Sequence, residues 1–165
     1  MLRRRWAIAG GLVVAAVVLA LVLWPSSHPE LDPDRAERVT LYSIDFRFLE
    51  KPEQLPDTGE VIYGCPVLGK VEVTDVEQRR QLLDALKSAI ARGEGGQYAC
   101  YWPRHALRVE SDGRTTDYVI CFQCHNYKKY VDGRSITGST ISESAAPLFN
   151  KLLEDAGIPI VPRMH

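Results

Sequence analysis

The chain has 165 residues, of which 25% are charged and 45% hydrophobic, with a formal net charge of −1. That length allows one small domain beyond an apolar N-terminal segment. The near-neutral balance and the lack of an extended basic cluster exclude nucleic acid as a partner, and no internal repeat or low-complexity tract suggests a solenoid.

Residues 1–5, Met1-Leu2-Arg3-Arg4-Arg5, form a basic stub ahead of an uncharged run over 6–24. A run of that length matches the ~20 residues that cross a bilayer core. Arg3, Arg4 and Arg5 then belong on the cytoplasmic side, and Trp6 and Trp24 suit the two interfaces. The expectation is a signal anchor in a bacterial inner membrane, crossing once, with the C-terminal part periplasmic or extracellular. A cleaved signal peptide is the alternative. All 21 acidic residues follow the apolar run, whereas three of the 20 Lys and Arg precede it, so the remainder is net negative.

Residues 25–38 carry Pro25, Pro29 and Pro33 among polar side chains and read as a linker. The folded part, 39–165, opens with a strand over Val39 to Phe48, rich in branched and aromatic residues. Lys51 to Gly64 is a loop by its Pro and Gly content, and a short strand follows from Val67 to Val73. A helix is expected over Asp75 to Ala91, with Thr74 as cap, Glu77 completing a capping box and Gly93 as stop. Val76, Leu83, Leu86 and Ile90 recur on one face, which is read as core.

Arg104 to Glu110 and Thr115 to Phe122 flank Asp112-Gly113, a pair suited to a two-residue type I′ turn. With Ser111 opposite Arg114, His105 faces Ile120 and Arg104 faces Cys121. Cys100 then comes near Cys124 and His125. A third strand runs through Lys128 to Val131 to another turn at Asp132-Gly133. Ser144 is expected to cap a final helix with Pro147 in its first turn. Leu148, Phe149, Leu152 and Leu153 form that helix's buried face, and Gly157 ends it. These elements predict an α+β fold: a single transmembrane helix followed by a small antiparallel sheet of three to five strands with two packed helices.

Cys121-Phe122-Gln123-Cys124-His125 matches the attachment signature of c-type haem, in which two thiols form thioethers and the histidine ligates iron. On that reading Cys121, Cys124 and His125 bind the cofactor of a tethered electron carrier. A zinc site could instead draw on Cys100, Cys121, Cys124, His105 and His125, with Cys65 as a further donor. Thiol-disulfide exchange is a third reading, although it favours a C-x-x-C at a helix N-terminus, and here a strand precedes the pair. In a regular strand Cys121 and Cys124 would point to opposite faces, so any joint use requires the chain to turn after Phe122. The leading expectation has no cofactor. Cys65, Cys100, Cys121 and Cys124 supply disulfides, with Cys100 to Cys124 closing the open end of the hairpin and Cys121 either free or joined to Cys65.

Cys100-Tyr101-Trp102-Pro103-Arg104-His105, followed by Ile120-Cys121-Phe122-Gln123-Cys124, resembles the Cys-aromatic-x-Pro-Arg-His and Ile-Cys-Phe-x-Cys segments of poorly characterised small bacterial exported or membrane-associated domains. The resemblance implies that the C-x-x-C belongs to a hairpin rather than to a cytochrome helix, and it carries no activity. No serine-nucleophile elbow, metalloprotease helix or pair of catalytic carboxylates accompanies these residues. The expected role is therefore non-catalytic binding of an envelope protein or component, through a patch of Tyr101, Trp102, Arg104 and His105.

Overall fold

A computed structural model describes residues 28–48, 59–93 and 99–164. The expected α+β architecture is present there as an antiparallel sheet with two packed helices. The strands are β1 (Arg38–Ile44), β2 (Val61–Ile62), β3 (Cys65–Glu72), β4 (His105–Ser111), β5 (Arg114–Cys121), β6 (Asn126–Val131) and β7 (Arg134–Thr140). They lie in the order β2-β3-β1-β4-β5-β6-β7, so β1 sits between β3 and β4. Helix α1 (Val76–Ala91) connects those two flanking strands, and α2 (Ala146–Asp155) follows the last strand.

The β4–β5 hairpin has the expected register, with His105 opposite Ile120 and Ser111 opposite Arg114. Asp112 and Gly113 have φ of 51° and 71°, the left-handed values that a type I′ turn requires at both central positions. Asp132 and Gly133, at 49° and 77°, repeat the device between β6 and β7. The β7 strand, absent from the sequence reading, is an exposed edge. Its register shifts opposite Lys129 and Tyr130, and such irregularity guards an edge against pairing with other chains.

The helix starts differ from expectation by one or two residues. Asp75, not Thr74, caps α1 by accepting from the Gln78 N–H at 2.7 Å. A carboxylate there also complements the positive end of the helix dipole. Glu77 consequently accepts from Gln81 at 3.1 Å, one turn along, rather than closing a capping box. Before α2, the Ser142 side chain, not that of Ser144, accepts at the start of a 3-10 turn over Glu143–Ala145. Gly157, at φ 69°, ends α2 as expected, its N–H bonding Glu154 O while Ile158 N–H bonds Leu153 O.

Alternation along the strands separates two faces. On the helical face, Val39, Leu41, Leu107, Val109, Tyr118, Ile120 and Phe122 meet Leu82, Leu83 and Leu86 of α1 and Phe149, Leu152 and Leu153 of α2. Full burial of each such side chain contributes about 1.5–3 kcal/mol before entropy is counted. Leu31, at 0% exposure, and Ala36 join this core, so part of the expected linker belongs to the folded unit. The opposite face carries a smaller cluster of Tyr42, Ile44, Ile62, Cys65, Ala106 and Val119, against which Tyr63, Val67, Tyr101 and Tyr130 pack.

Among the described residues no helix is long and apolar enough to cross a membrane, the longer of the two having 16 residues. The expected single-pass inner-membrane location is corrected on that finding. The stub and apolar run over 1–24, on which it rested, lie outside the described residues.

Candidate functional site

The chain turns after Phe122, as joint use of the cysteines requires. The turn over 122–125 joins β5 to β6, with Cys121 opposite Asn126 and the His125 N–H bonded to Phe122 O. His125 takes a φ of 52° there. Cys121 and Cys124 face each other across this turn and form a disulfide, with Cα atoms 5.2 Å apart. The pairing corrects the expected Cys100–Cys124 link, since Cys100 and Cys65 are free thiols. Cys100 is nevertheless close by: Asn126 Nδ2 donates to Cys100 O, and Trp102 N–H donates to Cys124 Sγ. Burial, with Asp45 adding a like charge, pushes the Cys65 thiol up to about 12 and leaves it a poor nucleophile.

These residues do not fit a haem. Cys121 and Cys124 are 1% and 0% exposed and bonded to each other, so neither sulfur can reach a porphyrin edge. His125 Nε2 lies 3.7 Å from a Glu143 carboxylate oxygen. The zinc set does not assemble either: among the described residues no group of three or more His, Cys, Asp or Glu could hold a metal ion. His105, offered as a ligand, is 1% exposed, with Nε2 against Asn150 Oδ1 at 2.9 Å and its ring edge-on to Phe122 and Phe149. Its Nδ1 has no hydrogen-bond partner among the described residues. Burial, and then the neighbouring Arg104 charge, lowers its pKa to about 4, so the ring is neutral near pH 7.

The patch Tyr101, Trp102, Arg104 and His105 is not gathered on one surface. His105 packs against α2, while Arg104 is 7% exposed and donates to Val161 O. Trp102 stacks on Phe46. Tyr101 belongs to the opposite face of the sheet, where its hydroxyl donates to Val119 O at 3.1 Å and Lys128 Nζ sits 4.2 Å from its ring centroid.

That opposite face holds a connected polar cluster. Arg108 on β4 and Asp117 on β5 are directly paired residues. The Arg108 Nε and Nη2 donate to Asp117 Oδ1 and Oδ2 at 2.8 and 2.9 Å, the bidentate geometry that suits guanidinium and carboxylate. Tyr63 completes the cluster by donating from its hydroxyl to Asp117 Oδ2 at 2.7 Å. Its ring stacks on Tyr130 with centroids 3.6 Å apart. Burial and the Asp117 carboxylate together hold the Tyr63 hydroxyl protonated, well above the usual phenol range. On β1, Tyr42 lies beneath two cations, Lys70 Nζ and Arg108 Cζ, each 5.7 Å from its ring centroid.

No family model, curated protein or solved structure matches this chain.

Four tyrosines, Tyr42, Tyr63, Tyr101 and Tyr130, share this face with Lys70, Arg108 and Lys128. The combination of rigid amphipathic rings with an ordered guanidinium is enriched where proteins bind other proteins. The signal that locates it in the sequence is the hairpin register, because the alignment that sets His105 against Ile120 also sets Arg108 against Asp117.

Proposed function

We propose that this chain is a non-catalytic binding domain that captures a protein partner on the open face of its sheet, with Tyr63, Tyr101, Tyr130, Lys70, Arg108 and Lys128 as the contact surface. The observation that carries the reading is the Arg108–Asp117–Tyr63 network, built around a buried carboxylate. It fixes the guanidinium and the stacked Tyr63–Tyr130 rings before any partner arrives, which reduces the ordering cost of association. The disulfide-closed turn beyond β5 supports the end of the strand that carries Asp117.

The test places a photo-reactive phenylalanine analogue at Tyr130 on the open face or at Arg80 on α1 of the full chain in its own cells. A partner cross-linked from Tyr130 and not from Arg80, identified, purified and shown to bind the full chain, is the expected result. Replacing Lys128 and Lys70 together by glutamate should then weaken that binding at least about tenfold, the loss of roughly 1.4 kcal/mol. Cross-links confined to Arg80, or binding unaffected by both charge reversals, overturn the reading.

A further inference from the structure

The open face contains a groove of about 400 Å³ lined by Arg38, Thr40 and Tyr42 of β1, Lys70 and Glu72 of β3, and Arg108 and Glu110 of β4. Register explains its shape. Thr40 stands between Glu72 and Arg108, and Tyr42 between Lys70 and Ala106, so Thr40 and Tyr42 form a floor along β1 between long flanking side chains.

The two ends of the groove differ in how many acids each cation serves. At one end Arg38 holds Glu72 and Glu110 at 3.6 and 3.3 Å. At the other end Lys70 and Arg108 lie over the Tyr42 ring, each paired with one acid, Glu60 and Asp117 respectively. Their donors are only partly used. Arg108 spends Nε and Nη2 on Asp117, leaving Nη1. Lys70 spends one N–H on Glu60 at 2.6 Å, and an ammonium carries three. That pair is half exposed on both sides and holds its partners weakly.

The floor adds two more donors. Tyr42 and Thr40 are 3% and 7% exposed, yet neither hydroxyl has a hydrogen-bond partner among the described residues, and neither is sealed from the groove. The solvent-reaching Tyr42 hydroxyl and the uncommitted donors of Lys70 and Arg108 equip this end of the groove to receive an acceptor that carries negative charge.

Resting on the proposed binding role of this face, we infer that the Tyr42 end of the groove is a receptor for a carboxylate side chain, so that the partner presents an acidic segment there. The carboxylate accepts from the Tyr42 hydroxyl, from Lys70 Nζ and from Nη1 of Arg108, which has no hydrogen bond among the described residues. The Arg38 end, with its two glutamates, disfavours a second acid and so orients the segment along the groove.

The test titrates isotopically labelled full chain with capped tetraglutamate, tetraglutamine and tetralysine peptides and follows backbone amide shifts. Tetraglutamate is expected to move the amides of Tyr42, Lys70 and Arg108, with the effect fading as salt rises. Tyr42→Phe, which keeps the ring, and Lys70→Gln should each weaken that binding by about tenfold, the scale of one hydrogen bond to a charged group. Arg108 is left intact because it holds Asp117. Absence of these shifts, equal binding by tetraglutamine, or tetraglutamate binding unchanged by Tyr42→Phe and Lys70→Gln overturns the carboxylate site. If tetraglutamine or tetralysine moves open-face amides, the carboxylate inference fails while the wider binding role stands. The Tyr130 cross-link decides that role separately.

Discussion

Arg108 grips Asp117 across the β4–β5 ladder with two parallel hydrogen bonds, and the two residues differ in exposure, the carboxylate side chain being 3% accessible and the guanidinium 29%. The acid is therefore the member that cannot turn to water if its partner is lost. Removing one partner of such a pair costs about 3–5 kcal/mol, because an uncompensated buried charge remains. Arg108→Ala should fall in that range, and Arg108→Lys should lose less while forfeiting the bidentate geometry. Urea unfolding of the full chain checks this through a lowered midpoint at unchanged slope. A change below about 1 kcal/mol for Arg108→Ala would mean that the network does not order the face.

Much of the fold was legible because local chemistry and tertiary need agree. Asp112-Gly113 and Asp132-Gly133 each specify a two-residue turn, and the first sets the whole β4–β5 register. The β7 strand was not legible: Arg134-Ser135-Ile136-Thr137-Gly138 has little apolar alternation, since an edge strand owes its place to its neighbour. A Cβ at Gly138 would come within 2.7 Å of Tyr127 O, so that glycine reflects close backbone approach, which no periodicity reveals. The disulfide was misread because opposition across the hairpin favours Cys100 with Cys124, whereas the left-handed His125 makes a turn tight enough to bring Cys121 to Cys124. The patch failed to gather because only His105 of the four lies in a strand, packed toward α2, while Tyr101, Trp102 and Arg104 lie in the segment before β4 and take separate partners.

His105 makes stability depend on pH. Its folded pKa of about 4 lies below the ordinary 6.5, so between those values the unfolded chain binds a proton that the folded chain refuses. Stability is accordingly full above pH 6.5 and declines as pH falls toward 4, by up to about 3 kcal/mol. His105→Gln retains a donor toward Asn150 and has no titration. Its unfolding free energy should be flat across that window if His105 is the cause, and a slope equal to that of the unaltered chain would refute the assignment.

Glu30 acts in a lower window that overlaps the first only near pH 4. Its carboxylate accepts from Tyr118 and from His28, and pairs with Lys129 Nζ at 2.7 Å. Burial opposes the charge, but these three partners outweigh it and bring the pKa down from 4.5 to about 2. The stabilisation is present above pH 4.5 and is lost as pH falls through that range. Because Tyr118 lies in the core and Glu30 in the segment ahead of β1, this contact ties 28–31 to the sheet. Glu30→Gln should remove the acid-side slope below pH 4.5 and free that segment, read as faster amide exchange at Leu31 with the β4–β5 amides unchanged. Unchanged protection at Leu31 would show that apolar burial alone holds the segment.

The cysteine pairing has a direct covalent test. Cys121 and Cys124 close a loop of only a few residues, so in the chain-entropy description the link contributes about 2 kcal/mol, toward the lower end for disulfides. Replacing both cysteines by serine should lower stability by about that amount and leave the sheet intact, because β5 and β6 remain paired by their own ladder. Digestion after Arg and Lys without reduction discriminates the pairings. A Cys121–Cys124 bond leaves both cysteines in one peptide, from Thr115 to Lys128, two hydrogens lighter than its reduced form. A Cys100–Cys124 bond would instead join two peptides and leave Cys121 available to alkylation under denaturing conditions. The first pattern, with Cys65 and Cys100 alkylated, is the expected one. The joined peptides would show that strand opposition outcompetes the tight turn, and that the end of the hairpin is tied to the segment before Pro103.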